Sequence, residues 1–170
     1  MRTISVVVLV VAASALAFTQ VKTRDADQKT RDAREITSMR RQAKATFGIK
    51  SWDEKPYSEI AGSPKLTQVS ATKSYQGDIE GEGKLEYLMM YRSAASASFM
   101  GLERVTGSIG GRSGSFVLQH LGTFEDGVAK VTLSVVPGSG TGDLRGMKGE
   151  GGFSVGHQPP YAMTLDYHFE

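Results

Sequence analysis

Cysteine is absent from this chain. No disulfide can brace it, and thiol catalysis and cysteine-held metals are excluded. Helical periodicity is nearly absent too. Ile36 and Met39 sit three apart in the charged stretch 21–44, but nothing sustains that stripe, which reads as a polar linker or a frayed helix. A basic folded surface is also missing. Residues 18–44 carry eight Lys and Arg against four Asp and Glu, whereas residues 45–170 carry eleven against fourteen. The excess of positive charge belongs to the linker, where Arg40, Arg41 and Lys44 offer only a weak membrane-surface patch, and a nucleic-acid partner is not expected. Long apolar runs are short of what a bilayer needs. The run from Ile4 to Ala17 follows Arg2 and ends Ala15-Leu16-Ala17, the pattern of a signal peptide cleaved after Ala17. The expectation is an exported protein, periplasmic or secreted, with no stable membrane span after cleavage; an uncleaved anchor is the alternative.

Familiar catalytic motifs are missing as well. Gly111-Arg112-Ser113-Gly114-Ser115 departs from the serine-nucleophile pattern G-x-S-x-G at its last position and lies in a hairpin. The glycine-rich segment Pro137–Leu144 lacks the Gly-Lys-Ser/Thr ending of a phosphate-binding loop and reads as a long hairpin connection.

What is present is a succession of strand-like segments: 45–52, 65–75, 82–92, 98–109, 113–124, 127–136, 144–155 and 161–169. Gly-Asp, Gly-Gly, Glu-Asp-Gly and Pro-Gly-Ser-Gly punctuate them, and the Pro- and Gly-containing stretch 55–64 reads as a loop. Eight strands joined mostly by hairpins predict an all-β fold, an eight-stranded antiparallel closed barrel, because closure removes exposed edges. The domain boundaries read as signal peptide 1–17, basic linker 18–44 and one β-barrel domain 45–170. Phe47 and Ile49 are expected on one side of the first strand.

The stretch Gly101–Phe124 gives the sharpest expectation. A Gly110-Gly111 turn pairs Ile109 with Arg112, Gly107 with Gly114, Val105 with Phe116, Glu103 with Leu118 and Gly101 with His120. A turn at Glu125-Asp126 then sets His120 opposite Val131 and Leu118 opposite Leu133. A four-residue loop at 93–96 sets Phe99 opposite Met90, Gly101 opposite Leu88 and Glu103 opposite Glu86. One wall then carries Leu88, Met90, Phe99, Gly101, Phe116, Leu118, Val131 and Leu133, interrupted by Glu86, Glu103 and His120. Two carboxylates and an imidazole on a greasy wall are a candidate acid–base or ligand-orienting group. A divalent metal held by the same three is a lesser alternative, and His157 and His168 lie too late in the chain to join them. The same register puts Tyr87, Met89, Tyr91, Met100 and Leu102 on the outer face. So apolar a surface suggests subunit packing, tail coverage or a reversal of the faces. Glu54, beside Trp52, is a further polar candidate at a barrel mouth. Asp166 in the last strand is more readily structural.

The blocks Trp52-Asp53-Glu54, Tyr75–Gly81, Gly101–Val105, Gly110–Phe116 and Pro137–Gly142 together resemble a bacterial family, the domain-of-unknown-function family numbered thirty-two twenty-four. The resemblance spans about residues 45–169. It implies a calycin-like barrel resembling that of plant allene oxide cyclase, an enzyme that cyclises a fatty-acid epoxide in an apolar cavity, and it implies a homo-oligomer. No motif carries that enzyme's catalytic residues onto this sequence, so only the fold transfers. The leading expectation is an exported barrel binding a small apolar or amphipathic ligand, without a cofactor. An isomerase or cyclase in the same cavity and a structural module with a filled barrel are the alternatives.

Overall fold

The computed structural model describes residues 28–29, 40–156 and 158–170. The expected signal peptide and His157 lie outside them, as does the linker before Arg40 except for Gln28 and Lys29, which are helical. Residues 40–170 form one compact unit. Its strands are β1 (Arg41–Ser58), β2 (Lys65–Gly77), β3 (Ile79–Ser93), β4 (Ser96–Ile109), β5 (Arg112–Glu125), β6 (Val128–Val135), β7 (Met147–Val155) and β8 (Tyr161–Phe169). Each pairs antiparallel with the next, and β8 returns to β1, with Ala45 opposite Met163. Eight antiparallel strands in a ring thus leave no long edge unpaired.

Local chemistry sets the strands. β2 alternates Thr67, Val69, Ala71, Lys73 and Tyr75 inward with polar residues outward. The β4–β5 turn is Gly110-Gly111 with φ of 57° and 80°, the mirror-image turn whose twist suits a two-residue hairpin, and all five predicted β4–β5 pairs are present. The β5–β6 turn falls at Asp126-Gly127, not Glu125-Asp126, with φ of 48° and 84°. His120 therefore faces Leu133 and Leu118 faces Val135. That shift of two residues leaves every side chain on its expected face.

The β3–β4 turn closes at 93–96 as expected, but the pairing beyond it departs by one residue. Ser93 pairs with Ser96 around Ala94-Ala95, and a bulge between Tyr91 and Ser93 resets the register. Phe99 now faces Met89, Gly101 faces Tyr87 and Glu103 faces Leu85. A one-residue offset exchanges the two faces of a strand. Leu85, Tyr87 and Met89 therefore enter the core, while Glu86, Leu88 and Met90 turn outward. β1 also differs from expectation. It begins at Arg41, runs through the supposed loop as far as Ser58, and carries a bulge between Ile49 and Ser51, while Phe47 and Ile49 share the inner side as expected, Phe47 buried and Ile49 more exposed at the open end.

The interior has two halves. Around the β4–β5 turn it is packed solid with Ile79, Leu85, Val105, Ile109, Phe116, Leu118, Met147 and Leu165. The segment after β6 completes this end. Thr141 N–H donates to the Ser115 carbonyl (2.8 Å) and Thr141 Oγ1 accepts from Ser115 N–H (2.9 Å), covering β5 where β6 does not reach; Leu144 is thereby fully buried. At the opposite end, where the β3–β4, β5–β6 and β7–β8 connections lie, the interior opens into a cavity of about 350 Å³.

Candidate functional site

Between the packed half and the cavity lies a layer of buried polar groups. Lys73 comes from β2, Glu103 from β4 and His120 from β5, and each side chain is at most 3% exposed. The Lys73 ammonium donates to Glu103 Oε2 at 2.8 Å, and the Tyr75 hydroxyl donates to Oε1 at 2.7 Å. His120 Nε2 lies 3.0 Å from Oε2 without the alignment of a hydrogen bond, so the contact is a close electrostatic one. His120 Nδ1 is 2.8 Å from the Tyr87 hydroxyl. Small residues make the space: a Cβ on Gly83 would sit 1.8 Å from Glu103 Oε1, and one on Gly101 would sit 2.5 Å from the Tyr87 ring. The glycines at these two positions are needed for the room they leave.

Burial acts on all of these groups. It pushes the Glu103 carboxyl up, but the Lys73 charge together with the His120 and Lys73 contacts outweighs it and holds the acid at about 2. Burial lowers Lys73 further than Glu103 restores it. Burial also lowers His120, the nearby Lys73 charge adds to this, and Glu103 offsets only part. Tyr75 and Tyr87 are raised by burial and by the Glu103 charge, so both hydroxyls stay protonated. A carboxylate only accepts, so a neutral His120 is best satisfied with its proton on Nε2, leaving Nδ1 to accept from Tyr87. The result is two hydrogen-bonded pairs, Tyr87 with His120 and Lys73 with Glu103, in electrostatic contact through His120 and Glu103, and Tyr87 and Lys73 both reach the cavity.

The cavity wall is otherwise apolar and aromatic, with Phe47, Trp52, Met89, Phe99, Val131, Phe153 and Tyr161 among its residues. Phe47 packs edge-on against Phe153 at 5.0 Å, and the Lys73 ammonium lies 4.7 Å from the centre of the Phe47 ring.

Of the residues singled out in the sequence, Glu103 and His120 meet as expected. Glu86 does not join them: it is on the outer surface, where it accepts from Ser70 at 2.8 Å. Phe99 and Val131 line the cavity, Gly101 lies beneath the Tyr87 ring, and Phe116, Leu118 and Leu133 belong to packed core outside the cavity lining. Leu88 and Met90 are outside, where Leu88 stands opposite Met100 and Met100 opposite Leu121 in an exposed apolar strip. Glu54 sits at the lip, accepting from Thr67 (2.7 Å), Tyr91 (2.8 Å) and Trp52 (3.1 Å). Burial raises this acid, but those donors and the Lys65 charge lower it overall. With Glu86 outside, the imagined triad of metal ligands does not converge, and among the described residues no three acidic, His or Cys side chains are grouped to hold a metal ion.

Lys73, Tyr75 and Tyr87 were not anticipated. The signal for the first two was in β2, where Lys73 falls in phase with Val69, Ala71 and Tyr75. The signal for Tyr87 was in β3, where Leu85, Tyr87, Met89 and Tyr91 make a more apolar alternate set than Glu86, Leu88 and Met90.

A family model described as protein of unknown function (DUF3224) matches residues 43–167, a span that includes every member of the buried polar layer. A crystal structure of a protein with unknown function from the DUF3224 family of Shewanella oneidensis MR-1 is similar, with 28% sequence identity and a TM-score of 0.67. The similarity covers 77% of this chain and 98% of that one. Comparison with curated proteins gave no match. With the family model reaching from β1 into β8, this chain belongs to the DUF3224 family.

Proposed function

We propose that this protein binds a small apolar or amphipathic molecule in the open half of its ring, with the polar end of the ligand against Lys73 and Tyr87. One observation carries the reading. A half-enclosed aromatic cavity of about 350 Å³ ends on two polar groups, each held from behind by a fully buried partner, Glu103 or His120. Ligand sites combine these features: apolar walls for affinity and a few fixed polar groups for orientation. The amino-terminal sequence, with its signal-peptide pattern, supports a reading in which this binding takes place outside the cytoplasm. The filled-barrel alternative describes only the half around Phe116 and Leu118.

A second reading has a specific observation behind it. Tyr87 backed by His120 and Lys73 backed by Glu103 set two proton-carrying groups at the cavity floor, one to give and one to take, as a cofactor-independent isomerase or cyclase requires.

The sequence contains one tryptophan, and Trp52 lines the cavity, so occupancy is open to direct measurement. Titration with the apolar probe N-phenyl-1-naphthylamine should give saturable, one-per-chain fluorescence with energy transfer from Trp52. Ala129→Phe, which places a ring in the cavity mouth, should abolish that signal while the circular dichroism stays unchanged. Probe binding that is absent, or that is indifferent to Ala129→Phe, would end the proposal.

A further inference from the structure

We propose that Lys73 is a covalent docking point, whose amine condenses with an aldehyde or ketone in the cavity to form an iminium ion countered by Glu103. The inference rests on the cavity being a binding site and specifies the class of ligand it takes.

Lys73 is the one amine among the residues lining the cavity. Its stem is buried in the wall, with the ammonium 4.7 Å from the Phe47 ring centre, 5.6 Å from that of Phe153 and 2.8 Å from Glu103 Oε2. As a purely structural device this pair is a poor one, since burying two charges costs about as much as their attraction returns. As a reactive group it has each part that condensation needs. The carboxylate can take a proton from the ammonium, and the freed lone pair then forms a C–N bond to the carbonyl carbon while the carbonyl oxygen takes that proton back from the carboxyl and becomes a hydroxyl. That C–O bond then breaks, and the oxygen leaves as water with a second hydrogen from the nitrogen. The protein's ammonium and the ligand's carbonyl have become one iminium and one water, with the positive charge conserved beside the same carboxylate. Apolar walls favour the side of the equilibrium that expels water, and a lysine held in such surroundings exposes its free amine more readily than one on the surface.

The full chain should be incubated with cinnamaldehyde at neutral pH, reduced with cyanoborohydride, digested and mapped by mass spectrometry. The cavity gathers the aldehyde around this amine and burial favours its uncharged form, so Lys73 should be labelled several-fold faster than exposed Lys84 or Lys130. Ala129→Phe should suppress the Lys73 adduct and leave the surface adducts unchanged, and Lys73→Arg should keep the charge but lose the adduct. Labelling of Lys73 no faster than that of Lys84 would overturn the proposal. If cinnamaldehyde then still quenches Trp52, the cavity binds without covalent capture and only this inference fails. If it neither labels Lys73 nor quenches Trp52, with N-phenyl-1-naphthylamine also excluded, the binding reading fails with it.

Discussion

At the scale of single residues, the energetics turn on Lys73 and Glu103, two charges that the fold has withdrawn from water. Replacing Glu103 by leucine leaves an ammonium buried without its counter-charge and a Tyr75 hydroxyl without its acceptor. Such an orphaned charge costs about 3–5 kcal/mol. Removing both partners should cost much less, because the burden is the unpaired charge and not the loss of attraction. The expected outcome is that Lys73→Met/Glu103→Leu unfolds at a higher urea concentration than Glu103→Leu alone, with equal denaturant slopes. A double variant less stable than the single one would mean that the two side chains act independently. Half of this layer was legible in the sequence. Glu103 and His120 were both reached by counting outward from Gly110-Gly111, because a hairpin's pairing follows from its turn. Lys73 and Tyr75 share no tight hairpin with them and belong to the layer only because the ring brings β2 across from β4 and β5.

At the scale of elements, the parity of a turn decides more than its position. The β5–β6 reversal lies one residue later than expected at each end, a change of two in the pairing, and His120 and Leu118 still point inward. The β3–β4 turn closes where expected, but the bulge between Tyr91 and Ser93 offsets the pairing by one, and that difference moved Glu86, Leu88 and Met90 out and Tyr87 and Met89 in. Both turns were read from residue type. Only the β4–β5 turn has two glycines in its central positions, and only there did composition specify geometry. The conformational demand can be tested where no side chain would interfere. Gly111 has a φ of 80°, and a Cβ there would meet nothing within 4 Å. Gly111→Ala should therefore cost only the strain of a left-handed residue, about 1 kcal/mol, and Gly111→Asn only a few tenths. Thermal denaturation should show Ala lowering the midpoint by about 2–4 °C and Asn leaving it nearly unchanged. Equal losses for the two would mean that the turn does not hold this geometry in solution.

At the scale of the whole molecule, one end of the ring is packed and the other is open, and the ionisable layer between them ties stability to pH. Three buried groups, Glu103, Lys73 and His120, all have their folded pKa values below the ordinary ones. In each case the unfolded chain binds more protons over the interval between the two values, so stability rises with pH across that interval. For His120 the interval begins at about 6.5 and extends downward. For Glu103 it runs from 4.5 down to about 2, worth about 3 kcal/mol once fully crossed. The exposed pairs Lys50–Glu82 and Lys148–Glu170 have the same sign but add little, because solvent screens them. Acidification should therefore lower the urea midpoint from about pH 6.5 downward as His120 is forced to take a proton beside Lys73, and lower it again below 4.5. Substituting His120→Asn should remove the first decline and keep the second, since Glu103 and Lys73 remain paired. A midpoint that holds constant between pH 7 and pH 3 in the unaltered protein would show that these groups reach water, and a floor of solvated charges could neither orient an apolar ligand nor shelter an iminium at Lys73.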